Sequence, residues 1–570
     1  MIEELTPQVV GTSVLLVLLT APVVTLALSI LLLWAYRRAV TQAMAASGGF
    51  EASAGEPDST SASPSHDRQA GEPRTADLYR QAVRVAWRNA ARYLLAGFVF
   101  ALAFATAAQF VFPFQLGLPG FVTGVWIYLW PAALALLVIV PGSLWLRAGW
   151  VAVYFVVLVL LGLWMSTVTN LPEYRFGGLV LPARSTVTPF TLGRLWLVAN
   201  AGPTLLMLLC FNRWVRAVAP LVLAVATAVI AGTWIAMLAL FSPRGIEFGA
   251  GLAVWLNVHA GAVVLGIVVL SLALFAALGW ILARWVAQAY REKRVSDQSL
   301  LLDAVWLLFA SAYAMWLVFG GLVWVATAPV AFVAYKLVLA ATRRRAVGER
   351  APVPGLTFLR VFSLGRRSEQ LLNQVARHWR QIGSVQMITG PDLARSTVQP
   401  HQFLDFLSGK LARHFVRDRA SLERATADQD RAPDPDGRFR INNIFCHADS
   451  WQQALRRLTR DGDMMLMDLR RFSASNTGCL HELQYLVDNV PLGRCVLVVD
   501  DTTDAPYLDR TLQKALEGLP SGSPNHGSHI HDVPVYHLDS RTGSLRRLIQ
   551  RLCTAGAVCG TSEERSFGSA

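Results

Sequence analysis

Three apolar runs in the C-terminal third of the chain are each followed by polar or charged residues that could bind a ligand. These residues are Ser363, Gly365 and Arg366 after one run, Asp468, Arg470 and Arg471 after another, and Asp500, Asp501 and Thr502 after a third. Parallel sheets bind ligands in the crevice beyond the carboxyl ends of their strands. The three groups together predict a ligand-binding edge. The alternative at each position is an ordinary loop or helix-capping residue.

The segment from Thr357 to Cys553 has the pattern of an α/β domain. Short apolar runs alternate with amphipathic helical segments, which is typical of a mostly parallel sheet covered by helices. The predicted strands are about Thr357–Ser363, Ser384–Ile388, Arg438–Cys446, Asp463–Leu469, Arg494–Val499 and Pro534–Leu538. The predicted helices are about Arg367–Ile382, His401–Val416, Trp451–Thr459, Gly478–Asn489, Ala505–Leu516 and Thr542–Leu552. The third strand belongs either to the sheet or to an insertion.

Other reactive side chains in this segment have simpler interpretations. His526, His529 and His531 lie in a loop rich in Gly, Ser and Pro, where no Cys is spaced to complete a zinc site. We interpret this loop as solvated and predict no metal. Cys446 and His447 are adjacent, and a buried thiol is the favoured reading. The chain has six Cys and no CxxC pair, which indicates reduced thiols in a cytosolic compartment.

The composition of the rest of the chain is that of a membrane protein. Charged residues make up 16% of the sequence, against about 25% in typical soluble proteins. The deficit is concentrated between Leu94 and Leu339, where many apolar runs reach the roughly 20 residues that cross a bilayer. The net charge of +13 has its origin largely in Arg residues that flank these runs, so we predict no nucleic-acid partner.

About nine transmembrane helices are predicted from the apolar runs. They cover about Thr12–Tyr36, Leu94–Phe112, Val122–Val140, Ala148–Thr167, Leu192–Phe211, Ala217–Phe241, Leu252–Ala283, Asp303–Phe319 and Leu322–Ala341. The last two meet at Gly320–Gly321 and form either a tight hairpin or one bent helix. A signal peptide is the alternative for the first run, but its apolar core is too long and Glu3 and Glu4 precede it.

The distribution of basic residues predicts the orientation. With the N-terminus outside, the inner loops contain Arg37–Arg38, Arg147, Arg213–Arg216, Arg284–Arg294 and Arg343–Arg345, as the positive-inside rule requires. An odd number of spans then leaves the C-terminal domain in the cytoplasm. The predicted location is the plasma or inner membrane, with the lipid bilayer as partner.

Two segments lie between the first and second spans. Residues 43–76 are rich in Ser, Ala, Gly, Pro and Glu and are predicted to be a disordered linker. Residues 77–93 place Arg80, Arg84, Arg88 and Arg92 on one helical face. We interpret this helix as lying on the anionic inner leaflet. A solvated extension of the second span is the alternative.

The predicted bundle contains few ionisable residues within its spans, whereas ion-coupled transporters need them there. His259, near Asn257, is the best candidate, although an interhelical hydrogen bond or an interfacial position explains it more simply. Lys336 is close enough to the inner surface to snorkel. Transport is therefore the weaker of the functions considered.

Three stretches of the C-terminal segment follow the pattern of a known family. Residues 360–367, Arg-Val-Phe-Ser-Leu-Gly-Arg-Arg, resemble the first strand and following loop of TIR domains, and residues 383–393, which include Asp392, resemble the second strand and loop of that family. Residues 461–483 resemble a later strand, loop and helix, with Cys479, Glu482 and Leu483 at matching places. Gly478 stands where the family has Trp, and Asp468-Leu-Arg replaces a strand-end Ser. The resemblance implies a flavodoxin-like sheet over about residues 357–553.

The resemblance also implies a role for Glu482. In NAD-cleaving members of the family a helix Glu at this place is catalytic, because a carboxylate near the ribose stabilises an oxocarbenium-like centre as nicotinamide leaves. Related nucleoside-processing α/β folds use a similar Glu. NAD enters here as a possible substrate, and no resident cofactor is predicted. The alternative is a first-turn acid stabilised by the helix dipole.

The sequence thus predicts a multi-span helical membrane bundle joined to a cytosolic α/β domain. Its expected parts are an anchor (1–42), a linker (43–76), a surface helix (77–93), an eight-helix bundle (94–345), the TIR-like domain (357–554) and a disordered tail (555–570). The leading hypothesis is a signalling or defence protein that binds or cleaves a nucleotide such as NAD, or associates with copies of itself. A channel or transporter regulated by the domain, and a non-catalytic membrane adaptor, are the alternatives.

Overall fold

The structure is a computed structural model of the chain. It describes residues 7–45, 75–112, 117–140, 144–168, 174–176, 179–181, 188–210, 215, 218–343, 355–360, 366–389, 400–447, 449–460, 464–539 and 543–566. These residues form two compact units. The first unit comprises residues 1–34 and 87–348, and the second comprises residues 35–86 and 349–570.

Long apolar helices build the first unit. The helices from α1 onward are α1 (Pro7–Ala45), α2 (Thr75–Val111), α3 (Gly117–Tyr128), α4 (Trp130–Ile139), α5 (Leu144–Val168), α6 (Pro189–Cys210), α7 (Ala219–Leu240), α8 (Pro243–Leu256), α9 (Ala260–Arg291), α10 (Asp297–Leu317) and α11 (Thr327–Arg343). A short antiparallel hairpin, β1 (Tyr174–Phe176) and β2 (Leu179–Leu181), lies between α5 and α6. Phe100, Phe104, Trp306 and Tyr313 are fully buried at the centre of its aromatic core.

Eight helical segments of the described residues are long and apolar enough to cross a membrane. A shorter apolar segment, Ala219–Trp234 in α7, coincides with the remaining predicted span. Large apolar side chains cover the outside of these helices; Leu160, Leu265 and Leu270 are 57%, 64% and 69% exposed. Contiguous apolar surface on this scale is unusual in soluble proteins and suits lipid contact.

Three expected boundaries need correction. Helix α2 runs without a break from Thr75 to Val111, so residues 77–93 continue into the span and do not form a separate helix. Residues 243–256 form a separate helix, α8, and the next long helix starts at Ala260, eight residues after the expected Leu252. The last helix of the chain continues to Ser566, although the tail was expected to be disordered from residue 555. Most of the expected linker, residues 46–74, lies outside the described residues.

Helices α10 and α11 form a hairpin. Asp303, in the second turn of α10, accepts a hydrogen bond from Lys336 Nζ at 2.6 Å and another from the Tyr335 hydroxyl at 3.2 Å. Contacts between the start of one helix and the later part of the next require an antiparallel arrangement. The turn between them is two short 3-10 helices joined at Gly321, whose φ of 129° favours glycine.

The third predicted span is broken at Leu129, between α3 and α4. Pro131 has no N–H, so the carbonyl of Ile127 loses its usual helical donor. Side chains of other helices satisfy the carbonyls at this break: the Asn200 amide donates to Ile127 O at 3.3 Å, and the Tyr154 hydroxyl donates to the neighbouring Trp126 O at 2.9 Å. The Tyr313 hydroxyl in turn donates to Asn200 Oδ1 at 2.6 Å. Side chains of α5 and α6 therefore satisfy the backbone of this span, and Tyr313 of α10 holds the Asn200 side chain in place.

A seven-stranded parallel sheet is the centre of the second unit. Its strands are β3 (Leu356–Arg360), β4 (Val385–Thr389), β5 (Phe415–Val416), β6 (Ile441–Cys446), β7 (Met464–Asp468), β8 (Cys495–Val499) and β9 (Val535–His537). They stand in the order β5-β6-β4-β3-β7-β8-β9, and every neighbouring pair is parallel. The helices are α12 (Arg366–Trp379), α13 (Pro400–Leu407), α14 (Arg419–Ala427), α15 (Trp451–Arg460), α16 (Thr477–Asn489), α17 (Ala505–Glu517) and α18 (Ser544–Ser566).

The expected α/β domain with a mostly parallel sheet is confirmed. All six predicted strands are present within a few residues of their expected ends, and the strand expected about Arg438–Cys446 is part of the sheet as β6, paired with β4. The helix expected over His401–Val416 ends at Leu407, and residues 415–416 are instead the edge strand β5. Helix α14 was not predicted.

Two apolar cores lie on opposite faces of this sheet. On one face, side chains of α15, α16 and α17 pack on the odd-numbered residues of β7, Met465 and Met467. On the other face, side chains of α12 and α18 pack on the even-numbered residues Met464 and Leu466. The alternation follows from the two-residue period of a strand.

Candidate functional site

The strand order places a topological switch point between β3 and β7. Strand β3 connects through α12 to β4 on one side, whereas β7 connects through α16 to β8 on the other side, and these two helices cover opposite faces of the sheet. The two chain directions diverge at the carboxyl ends of β3 and β7. Ligands of open parallel sheets bind at such a switch point.

Arg360 and Asp468 are the last residues of these two strands, and they are directly paired in the sheet. Both are buried, with exposures of 3% and 0%. Paired residues of neighbouring parallel strands point to the same face, and these two follow the even-numbered positions that face α12. The sheet thus ends at the switch point in a buried pair of opposite charges.

Asp468 receives hydrogen bonds from both sides of the switch point. The Ser368 hydroxyl, in the first turn of α12, donates to Oδ2 at 2.9 Å. Arg470 donates through Nε to Oδ1 at 2.7 Å and through Nη2 to Oδ2 at 2.8 Å. Nη2 also donates to the carbonyl of Arg367 at 2.9 Å, so Arg470 joins the loop after β7 to the start of α12.

Arg470 remains charged in this position. Burial lowers its pKa, but the hydrogen bonds and the negative charge of Asp468 outweigh that effect and leave the pKa raised. The next residue, Arg471, has a φ of 59°, which non-glycine residues adopt at a cost. The loop after β7 is therefore held in one defined conformation by a buried ion pair.

Glu482 lies on α16, which covers the opposite face of the sheet. Its side chain is buried, with 1% exposure, and its Oε2 atom has no hydrogen-bond partner among the described residues. Burial raises the pKa of Glu482 to about 8, and the positive charge of Arg360 limits the rise. Helix α16 begins at Thr477, so Glu482 belongs to its second turn, and the first-turn alternative is wrong.

Cys479 is a buried thiol one turn before Glu482. Burial, together with the negative charges of Glu482 and Asp468, raises its pKa well above the ordinary value. A thiol in this state is a poor nucleophile. The charges of Glu482 and Asp468 therefore both act on this one thiol.

The two acids after β8 have different roles. The Asp500 carboxylate accepts from the backbone N–H of Thr502 at 3.0 Å, which holds its own turn, and its charge acts on Arg470. Asp501 is exposed and lies 3.2 Å from His537 Nε2 at the end of β9. Asp500 therefore acts electrostatically on Arg470, whereas Asp501 contacts the end of the neighbouring strand β9.

Several predicted site residues are not placed. Ser363, Gly365 and Asp392 lie outside the described residues. Arg366 is the first residue of α12, and its side chain is also outside the description. In the described part of the chain no group of three His, Cys, Asp or Glu residues could hold a metal ion. His526, His529 and His531 are exposed.

Sequence reasoning did not select Arg360 or Ser368 as contributors to the Asp468 and Glu482 neighbourhood. A charged residue at the last position of an otherwise apolar strand was the available signal for Arg360. Ser368 resembled a helix-start residue, and nothing in its spacing pointed to Asp468, which is 100 positions away.

The described residues thus combine an apolar helical bundle with a parallel α/β unit that has a buried acid–arginine cluster at its switch point. No protein-family model, no curated protein and no solved structure matches the chain.

Proposed function

We propose that residues 357–554 form a cytoplasmic TIR-like module that binds a nucleotide such as NAD, and that the apolar helices hold it at the membrane. In this proposal the N-terminus is outside, and the protein acts in signalling or defence. The single observation that carries the ligand proposal is the buried Glu482 carboxyl group, unpaired at Oε2, beside Arg360 at the switch point.

The strand order supports the TIR-like interpretation. Strands β4-β3-β7-β8-β9 correspond to the order 2-1-3-4-5 of flavodoxin-like sheets. Strands β6 and β5 extend this sheet beyond β4. They come from about residues 417–450 and their flanks, a segment for which the resemblance offers no counterpart.

The charges at the switch point suit a nucleotide. Arg360 and Arg470 supply positive charge for phosphate oxygens, although Asp468 neutralises much of the latter. Glu482 supplies a carboxyl group of adjustable charge. A cationic nicotinamide ring beside it favours the ionised form and lowers the pKa of Glu482 below its resting value of about 8. Binding of NAD would therefore release a proton.

The chemistry that follows is cleavage of the bond between the ribose C1′ and the nicotinamide nitrogen. The bonding electron pair leaves with nicotinamide, and the ionised Glu482 stabilises the positive charge that develops at C1′. A water oxygen then adds to C1′ and loses a proton. The products are ADP-ribose, nicotinamide and one proton.

A non-catalytic adaptor is the second candidate, and the burial of Glu482 favours it. At 1% exposure this side chain has no contact with solvent, so a ligand reaches it only after its surroundings rearrange. In the adaptor, Glu482 stays protonated and the module acts through a partner or a second copy of itself.

The experiment uses the full-length protein in lipid nanodiscs, incubated with NAD, with nicotinamide as the readout. Wild type is expected to release nicotinamide, and Glu482→Gln is expected to lower the rate at least 100-fold. Glu517→Gln, at an exposed position of α17, is the matched control. If wild type and Glu482→Gln both leave NAD intact, also when clustered on vesicles, the catalytic proposal fails and the adaptor is favoured.

Orientation needs a separate test. Protease added to intact cells should leave the α/β unit uncut, whereas inside-out vesicles should expose it. Cleavage from outside would overturn the proposed cytoplasmic position.

A further inference from the structure

The last residues of helix α1 are part of the second unit, with residues 349–570. Tyr36 and Val40, four residues apart on one helical face, are both fully buried. Thr41 and Gln42, on the opposite side, are exposed. Residues 35–45, here named the docking segment, therefore have one face that packs within this unit and one that does not.

Aromatic rings of α13 receive Tyr36. Its ring centroid lies 5.3 Å from that of Phe406, with the planes at 86°, and 6.5 Å from that of Phe403. Phe403 and Phe406 are three residues apart, so both rings stand on the face of α13 that meets the docking segment. Edge-to-face packing of this kind adds to the burial of apolar area.

A second contact holds the end of the segment. His447 Nδ1 lies 2.7 Å from the carbonyl oxygen of Ala43, which is within the last turn of α1. Carbonyls in the last turn have no donor in their own helix, so this side chain provides one. His447 directly follows β6, and its ring lies 5.1 Å from that of Phe415 in β5.

The same contact surface contains two unpaired polar atoms. The Tyr36 hydroxyl and His447 Nε2 are both buried and have no hydrogen-bond partner among the described residues. A buried polar atom without a partner costs stability, because water would satisfy it in the undocked state. The apolar packing of the docking segment is thus opposed by two groups that gain by its release.

We propose that the docking segment, residues 35–45, is a strap that can be released from the carboxyl edge of the sheet. The strap contacts α13 and His447, the residue after β6, and its release exposes the Phe403 and Phe406 rings. Strand β6 is two strands from β3, which is about 10 Å at the spacing of neighbouring strands. The strap therefore lies on the edge that contains the buried Glu482 cluster. Its proposed release does not depend on whether that cluster binds a nucleotide.

The ring of Tyr36 stabilises docking, whereas its unpaired hydroxyl opposes docking. Variants that remove one or the other should therefore have opposite effects. Tyr36→Phe keeps the ring and removes the unpaired hydroxyl, so it should tighten docking. Tyr36→Ala removes the ring packing, and His447→Ala removes the donor to Ala43, so both should loosen it. Gln42→Ala, on the exposed side of the same helical turn, is the matched control.

The readout is hydrogen exchange of the backbone amides of residues 400–407 in the full-length protein, in nanodiscs that hold one copy. Exchange should slow about tenfold in Tyr36→Phe, accelerate at least tenfold in Tyr36→Ala and His447→Ala, and stay unchanged in Gln42→Ala. The strap is overturned if Tyr36→Phe exchanges as fast as wild type or faster. It is also overturned if protection appears only in nanodiscs with two copies, because a second chain then occupies this surface. Should Tyr36→Ala fail to fold, the Tyr36→Phe comparison alone decides.

Discussion

The guanidinium group of Arg470 contacts both carboxylate oxygens of Asp468, at 2.7 and 2.8 Å, although only Leu469 separates the two residues in sequence. The pair closes the carboxyl end of β7 and also contacts the Arg367 carbonyl at 2.9 Å. A planar guanidinium makes this geometry possible, whereas a Lys ammonium group acts as a point charge.

Removing Arg470 should strongly destabilise the second unit. Among the described residues, Arg470→Ala leaves the fully buried Asp468 with Ser368 as its one side-chain donor, and breaking a buried ion pair in this way costs about 3–5 kcal/mol. Arg470→Lys should recover part of the loss. Thermal unfolding of the full-length protein measures both, with Arg510→Ala at an exposed position as control. Equal midpoints for Arg470→Ala and the control would show that the pair contributes little.

The raised pKa of Glu482 predicts an unusual pH dependence. The folded protein keeps this proton up to a pKa of about 8, whereas the unfolded chain releases it near 4.5. Between these values the unfolded chain binds fewer protons, so this residue's contribution makes the free energy of unfolding fall as pH rises. At pH 7 this residue lowers the free energy of unfolding, relative to acid pH, by an amount on the order of 3 kcal/mol.

Glu482→Gln isolates this contribution, since Gln is neutral and of similar size. The variant and wild type should have similar stability at pH 4.5, and the variant should gain steadily over wild type up to pH 8. Unfolding midpoints across this range measure the difference, and Glu517→Gln should show no such trend. A difference that stays constant with pH would contradict the raised pKa.

The ion pair between Asp303 and Lys336 should stabilise the α10–α11 hairpin. Loss of Lys336 alone should be more destabilising than loss of both partners. Lys336→Leu leaves the Asp303 carboxylate, whose side chain is 16% exposed, without its cation and should lower the stability of the first unit. Adding Asp303→Leu removes the uncompensated charge and should restore much of the stability. The comparison uses the yield of monodisperse protein and its thermal midpoint. A double variant that is no better than Lys336→Leu would contradict this account.

Replacing Asn200 should destabilise the first unit more than replacing Tyr313, to which it is hydrogen-bonded. Asn200→Leu removes the donor to Ile127 O and the acceptor of the Tyr313 hydroxyl, so two buried groups lose a partner, at about 1–3 kcal/mol each. Tyr313→Phe removes only one donor and should cost less. Thermal midpoints in detergent provide the ranking, and a larger loss in Tyr313→Phe would contradict it.

Sequence periodicity predicted most strands and helices of the second unit, for a physical reason. Buried parallel strands such as Met464–Asp468 are continuous apolar runs, and amphipathic helices between them have an unambiguous period. The edge strand Phe415–Val416 was missed because two residues carry no period. Its neighbour α14 was missed because no apolar stripe marks it.

The arrangement of the site residues was harder to predict from the sequence, because burial depends on tertiary packing. Nothing in the residues around Glu482 distinguishes an exposed second-turn acid from one with 1% exposure. The pairing of Arg360 with Asp468 depends on which strands are neighbours in the sheet, and chain order does not reveal this. The break at Leu129 was equally hidden, since Pro131 is compatible with a kinked or an interrupted span.

The interruption of the third span has a consequence for biosynthesis. Its backbone carbonyls receive hydrogen bonds from Tyr154 and Asn200, and Tyr313 holds the Asn200 side chain; these residues are synthesised about 25 to 185 residues after Ile127. While α3 and α4 enter the membrane, the Ile127 carbonyl has neither a helical donor nor these later side chains, and an unsatisfied carbonyl is costly in hydrocarbon. The nascent segment therefore gains the Asn200 donor only after α6 has been synthesised, well after α3 and α4 themselves.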